Sequence, residues 1–396
     1  MARRFLTYNV NGRGVLQPHD NVSDENTMTR RFVTYNVEDQ KAGLIPVDEK
    51  GVLQPHEGAS SAGGGFPNGT EWIKIEELGT VSCGPGYGNG MWICTTRNED
   101  SNGDLVHAMY YSYDGVTWLK NEAYEYEFCF DAVKYANGVW VASTTWYNSP
   151  GMLYSVDGFD WQFVQDTDNR IDFKVVEHAN GLWVAGNAHG AWSSTDGITW
   201  TKNGTYYCSE LNYANGLWVM STNMLPYYST DGITWTKATA NVTTMGSQGK
   251  ATYADGLWVI AGVKGLFYST DGMTWTRSNI SSEAYETCHA HGRWVAVTKN
   301  GIYYSTDGIT WEQSNITEAG VDVENACGIW VALINNSADK SSSCVYSADG
   351  INWEYSSGFS AGKNNTWLSW ISNENGIWFI LPDNWSNMYY SVTWKK

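Results

Sequence analysis

From residue 68 onward, short apolar runs alternate with polar residues and are broken by Gly paired with Asn or Asp. Alternation of period two is the pattern of strands with one covered face, and no window holds a 3.6-residue helical period. Two motifs punctuate the runs in turn. Ser-x-Asp-Gly-x-x-Trp occurs seven times, ending at Trp118, Trp161, Trp200, Trp235, Trp275, Trp311 and Trp353. Gly-x-Trp, usually preceded by Asn, occurs eight times, at Trp92, Trp140, Trp183, Trp218, Trp258, Trp294, Trp330 and Trp378. Asn-Gly and Asp-Gly between β-rich runs predict two-residue hairpins, because such turns need positive φ. The Asp carboxylate and the Ser hydroxyl can cap N–H groups within the turn.

The repeat unit is 35–48 residues long and reads as four strands. In the fourth unit these are 211–214, 217–222, 227–230 and 234–238. That is the signature of a propeller blade, and eight Gly-x-Trp copies predict eight blades. Residues 68–74, Asn-Gly-Thr-Glu-Trp-Ile-Lys, resemble 231–237, the strand that follows an Asp-Gly turn. Residues 389–392 match the strand before such a turn, but the Asp-Gly is missing there. The N-terminal strand is therefore expected to complete the last blade and close the ring. Of the 22 Trp residues, fifteen belong to the two motifs. Trp is mainly architectural here, filling the gaps between blades.

Residues 1–67 follow another pattern. Arg3-Arg4-Phe5-Leu6-Thr7-Tyr8-Asn9-Val10 returns as Arg30-Arg31-Phe32-Val33-Thr34-Tyr35-Asn36-Val37, and Gly14–His19 returns at 51–56. Residues 1–57 form a duplicated extended arm, and the Gly/Ser-rich stretch 58–67 is a linker. Neither copy has enough apolar residues for a core. A tethered pair of like peptides gains avidity on a partner. Arg3, Arg4, Phe5 and Tyr8, with Arg30, Arg31, Phe32 and Tyr35, are the expected contacts.

Charge narrows the partners. The chain carries a formal −18; residues 1–67 hold 7 basic and 8 acidic groups, and the remainder 17 and 34. A repeat region with net charge −17 is a poor binder of phosphates, so nucleic acid and anionic lipid are not expected partners. No run of 18 apolar residues spans a membrane, and no apolar signal core follows the first residues. Seven irregularly spaced Cys without a Cys-x-x-Cys pair read as reduced thiols. Neither a metal nor a cofactor is expected. The aspartates at 114, 157, 196, 231, 271, 307 and 349 are spread around a ring, whereas Ca²⁺ needs oxygens converging on one point. In His289-Ala290-His291, His291 replaces the Asn of a turn, so a turn variant is expected.

The seven Ser-x-Asp-Gly-x-x-Trp turns resemble the Asp-box, or BNR repeat, of sialidase-like propellers, over about residues 68–396. They lack the residue that usually stands between Asp and Gly. In that family the box lies between the third and fourth strands and is structural. The resemblance therefore implies an all-β fold: an eight-bladed propeller of four-stranded blades, closed by an N-terminal strand and preceded by the arm. Structural aspartates are then Asp114, Asp157, Asp196, Asp231, Asp271, Asp307 and Asp349. The layout of anchor followed by binding domain resembles fibre and decoration proteins of tailed phages.

Loop lengths place the chemistry. The spacing from the Gly-x-Trp indole to the motif Ser is 11 in blades three to six, but 20, 15, 17 and 13 in blades one, two, seven and eight. Those four blades are consecutive in a closed ring. Their long loops rise on one half of the face opposite the turns, where function usually resides. Trp146, Tyr147 and Trp385 in these loops are expected to stack on sugar rings. Arg97, Asn98 and Asp100 are expected to serve as polar partners at the sugar edge. Of Trp367 and Trp370, alternation puts one inward and one toward solvent or the channel.

A sialidase needs three Arg around a carboxylate. The propeller offers Arg97, Arg170, Arg277 and Arg293, two of which occupy ordinary repeat positions. The expected function is non-enzymatic adhesion from a virion surface, made in the host cytoplasm. The arm would join other virion proteins, several copies would sit on one particle, and the propeller would take host-surface glycan. A purely structural decoration protein and a sialidase-like glycoside hydrolase are the alternatives.

Overall fold

The computed structural model describes residues 70–100, 102–124, 128–144, 151–164, 173–326, 328–336, 341–356, 368–382 and 387–392, with four short strands between residues 8 and 45. The chain divides into two units, Met1–Gly63 and Gly64–Lys396. In the first, Tyr8–Val10 pairs with Leu16–Pro18, and Phe32–Asn36 pairs with Lys41–Ile45. The two copies of the arm thus find different partners. The first uses the repeated Leu-Gln-Pro, and the second uses residues inserted between the repeated peptides. Arg3, Arg4, Phe5, Arg30, Arg31 and the linker lie outside the described residues.

The second unit is an eight-bladed propeller with four antiparallel strands to each blade and no helix among the described residues. Blade four shows the plan: Glu210–Ala214, Leu217–Ser221, Tyr227–Ser229 and Thr236–Lys237 pair in chain order. Blade one runs from Gly86–Gly88 to Leu119–Lys120, and blade seven from Ala319–Ala326 to Glu354–Tyr355. Blade five gains an extra strand, Thr239–Ala240, which pairs in parallel with Thr274 and Trp275. Blade eight consists of Leu368–Glu374, Ile377–Pro382, Tyr389–Val392 and, from the other end of the unit, Ile73–Lys74. Ile73 pairs with Tyr390 and Lys74 with Tyr389, so the N-terminal strand closes the ring. A closed ring leaves no long open sheet edge.

In every blade the Trp of Gly-x-Trp stands directly opposite the motif Ser, from Trp92 and Ser112 to Trp378 and Ser391. The spacing between them therefore measures the length of the intervening hairpin. The core lies between blades, as the Trp content predicts. Trp218 and Trp235 of blade four pack with Val184 and Ala191 of blade three. Trp72, on the closing segment, packs with Val331, Leu333 and Trp378.

The two turn motifs differ in kind. At the Gly-x-Trp turns both central residues are left-handed, as at Asn215 (φ 50°) and Gly216 (φ 75°), the geometry of a two-residue type I′ hairpin. His291 (φ 51°) and Gly292 (φ 70°) form the same turn, so His291 is indeed a turn variant. The Asp-Gly sites are not two-residue hairpins. Only the Gly is left-handed, and the ladder resumes at Tyr228 opposite Thr236, leaving a loop across residues 229–235. The Asp231 carboxylate accepts the N–H groups of Ile233 (2.8 Å) and Thr234 (2.7 Å), and the Gly232 N–H donates to the Ser229 hydroxyl (2.8 Å). The same bonds recur at Asp114, Asp157, Asp196, Asp271, Asp307 and Asp349. The aspartates act as caps, which is why their spacing is that of a turn and not of a shared ligand.

Candidate functional site

Both turn types follow odd-numbered strands, so they share one face of the ring. The opposite face carries the hairpins between second and third strands. In blades three, five and six these hairpins hold five cross-strand pairs, and in blade four three. Blade seven holds seven, between Ile329–Asn336 and Ser341–Ser347. Blade one holds eight, between Met91–Glu99 and Leu105–Ser112. These two tall hairpins flank blade eight. The blade-one tip exposes Leu105 and Val106.

Of the residues expected there, Trp146, Tyr147 and Trp385 lie outside the described residues, as does Trp367. Arg97, Asn98 and Asp100 stand together on the tall hairpin of blade one. The Arg97 backbone N–H donates to the Thr80 carbonyl (2.9 Å). The Asn98 amide is engaged at both ends: its oxygen accepts the Thr80 N–H (2.8 Å) and its nitrogen donates to the Leu78 carbonyl (3.1 Å). Asn98 thus ties the segment leading out of the closing strand onto blade one, a role its sequence neighbourhood did not reveal. Asp100 caps the hairpin tip, accepting the N–H groups of Asn102 (2.8 Å) and Asp104 (2.9 Å). The Asp104 bond, then that of Asn102, hold its carboxyl below the usual range. It remains exposed and ionised. Trp370 turns inward, where its ring occupies the space beside Gly84.

The structure also assembles a site that sequence reasoning missed. The innermost strands of the blades surround the axis of the ring. Their central residues include Lys134, Glu177, Asn212, Thr252 and Glu324, each paired with a second-strand residue at the same register. Lys134, Asn212, Thr252 and Glu324 reach the first-strand segment of the next blade, whereas Glu177 is reached by Lys134 of blade two and by Lys250 of blade five. Lys134 binds Glu177, and Lys250 of blade five lies 3.7 Å from the other oxygen of that carboxylate. Asn212 donates to the Ala251 carbonyl, and Thr252 donates to the Thr287 carbonyl (2.8 Å). Asp322 accepts the Ile371 N–H (2.9 Å), and Glu324 accepts the Asn373 N–H (2.9 Å).

Six carboxylates (Glu177, Glu210, Glu286, Asp322, Glu324 and Glu374) share this axis with Lys134, Lys174 and Lys250. All six carboxylate residues are half-buried. Removal from bulk water pushes Asp322 up to about 6. The same effect, aided by the negative charge of Asp322, pushes Glu324 up to about 8. Burial, then Asp322 and Glu210, raises Glu286 well above its ordinary value. Like charges that act on one another across a poorly solvated space oppose each other's ionisation. The signal in the sequence is a variable residue four before each Gly of the Gly-x-Trp turns, whose partners come from other blades.

No family model matches the chain, and no curated protein matches it in sequence. Solved structures do. The computationally designed Ika8 protein matches with a TM-score of 0.57 at 9% identity, covering 82% of this chain and 100% of that one. Sqt1 of Saccharomyces cerevisiae matches at 0.56 and 9% identity, covering 83% and 100%. YCF48, solved bound to a D1 peptide, matches at 0.53 and 13% identity, covering 83% and 96%. At such identities the likeness concerns the fold alone.

Proposed function

We propose that this protein is a non-enzymatic adhesion protein of a virion, anchored through residues 1–57 and binding host-surface glycan with the tall-hairpin half of its propeller. The observation that carries this reading is the asymmetry of the ring. Four consecutive blades have a longer Trp-to-Ser spacing than the other four, and in blades one and seven the paired hairpin itself is taller. Insertions beyond a blade template free side chains from packing, and Trp146, Tyr147 and Trp385 fall in such insertions. Stacking on flat rings, with polar groups such as Arg97 and the ionised Asp100 beside them, suits a sugar. The seven capped Asp-Gly turns support kinship with Asp-box propellers, in which the turn is structural.

Two observations weigh against the glycoside-hydrolase alternative. The Arg293 side chain packs beneath the blade-seven turn, where a Cβ on Gly350 would lie 3.0 Å from its Cδ, on the face away from the tall hairpins. A three-Arg cluster on the tall-hairpin face cannot include it. Asp322 and Glu324, two of the carboxylates with raised pKa, already accept N–H groups of blade eight.

A glycan array probed with the full chain tests the reading. Binding to a defined set of glycans, lost in the Trp146→Ala, Trp385→Ala variant, supports it. Retained binding moves the site elsewhere. An empty array together with failed particle assembly of the variant favours the structural decoration alternative.

A further inference from the structure

The seam between blades two and three is closed by the Lys134–Glu177 pair, and those between blades four and five and between five and six by neutral side chains. The seam between blades seven and eight is closed by two carboxylates on two backbone N–H groups, Asp322 on Ile371 and Glu324 on Asn373. The strand Leu368–Glu374 is innermost and has a ladder partner on one side only, Ile377–Pro382. Its channel-side N–H groups therefore depend on blade seven. Among the described residues no Lys or Arg forms an ion pair with Asp322 or Glu324.

The groups that face this seam are mostly acidic. Asp322 meets the charges of Glu286 on blade six and Glu210 on blade four. Glu324 meets Asp322 on its own strand and Glu374 on blade eight, and the Cys288 thiol of blade six lies close to it. Lys250 is the cation common to Glu210, Glu286, Glu324 and Glu374, but it already contacts Glu177. Lys134 is likewise bound to Glu177, and Lys174 serves Glu210.

We propose that this carboxylate cluster is a proton-operated latch: shared protons hold blade eight against blade seven, and their removal loosens that seam before any other. A protonated carboxyl still accepts an N–H through its carbonyl oxygen, so the two seam bonds survive acid. Deprotonation adds negative charges that repel one another in a poorly solvated space. Blade eight is the place to yield, because its outermost strand, Ile73–Lys74, comes from the other end of the unit and no hairpin joins it to Tyr389–Val392. Burial-raised carboxyls place the change between about pH 6 and about pH 8.

Amide hydrogen exchange on the full chain at pH 6 and pH 9, corrected for the intrinsic rate, tests the latch. Protection of residues 370–374 should fall at least tenfold between the two values, while residues 217–221 of blade four change less than twofold. In a Glu286→Gln, Glu324→Gln variant, in which Gln can still accept the Asn373 N–H, the fall should vanish. Equal protection of 370–374 at both pH values overturns the proposal, as does an equal loss in 217–221, which would mean uniform destabilisation. If the double variant does not fold, the wild-type comparison of the two segments decides alone.

Discussion

Gly232 of blade four sits directly over Leu182 of blade three: a Cβ on Gly232 would stand 2.6 Å from the Leu182 Cδ2 and 3.1 Å from the Trp218 Nε1. The two sequence motifs interlock here. The residue inside Gly-x-Trp of one blade wedges beneath the Asp-Gly turn of the next, as Leu217 does under Gly272 and Leu257 under Gly308. Gly232→Ala therefore meets both a left-handed φ of 71° and a clash. Gly216→Ala meets a φ of 75° but open space. Denaturant unfolding should show Gly216→Ala costing about 1 kcal/mol and Gly232→Ala about 2–4 kcal/mol. Equal costs would mean that the interlock contributes nothing.

Ring closure gives a second prediction. Besides the Ile73 and Lys74 pairs, the Ile75 N–H donates to the Met388 carbonyl (2.9 Å), and Trp72, Ile75 and Leu78 are buried. Removing residues 1–78 should lower the melting temperature of the whole propeller, whereas removing 1–64 should leave it unchanged. Trp72→Ala should cost about 3–5 kcal/mol, the usual range for deleting a buried Trp side chain. Equal melting temperatures for the two truncations would contradict the closure.

Stability should peak near about pH 5, because two sets of carboxyls pull in opposite directions. Slight burial opposes ionisation of Asp231, but the N–H groups of Thr234 and Ile233 and the Ser229 hydroxyl overcome it and hold the carboxyl down to about 2. That stability is present above the unfolded value of about 4 and is lost as pH falls through 2. Asp322 and Glu324, raised to about 6 and about 8, hold protons more tightly when folded. Their contribution is complete below about pH 4 and disappears as pH rises through 6 and 8. Melting temperatures from pH 3 to 9 should trace a dome. A monotonic rise toward pH 9 would contradict the channel assignment.

Much of this fold was legible because its signals are local. Asn-Gly and Gly-x-Trp specify a turn and a plate within a few residues, and Trp72 betrayed the closing strand by copying Trp235. The Asp-Gly turn was misread in type, since a two-residue hairpin and an Asp-capped loop begin with the same letters. What failed to show was everything set by ring closure. Glu210, Glu286 and Asp322 belong to blades four, six and seven and meet only across the axis. Asn98 acquires its role only when the 78–80 segment is laid beside it.

The duplicated arm gives a prediction about avidity. Deleting residues 1–28 leaves one Arg-Arg-Phe copy, and deleting 1–57 leaves none. If both copies grip like surfaces, the first deletion should weaken retention on the particle by about 10²-fold or more and the second should abolish it. Unchanged retention after the first deletion would make the second copy sufficient and the duplication idle.

Under the proposed function the tall-hairpin face, and not the turn face, meets the host. Host-cell attachment by particles carrying Trp146→Ala, Trp385→Ala measures it most directly. The expected result is normal folding and assembly with attachment lost. Attachment equal to that of the unaltered particle would contradict it.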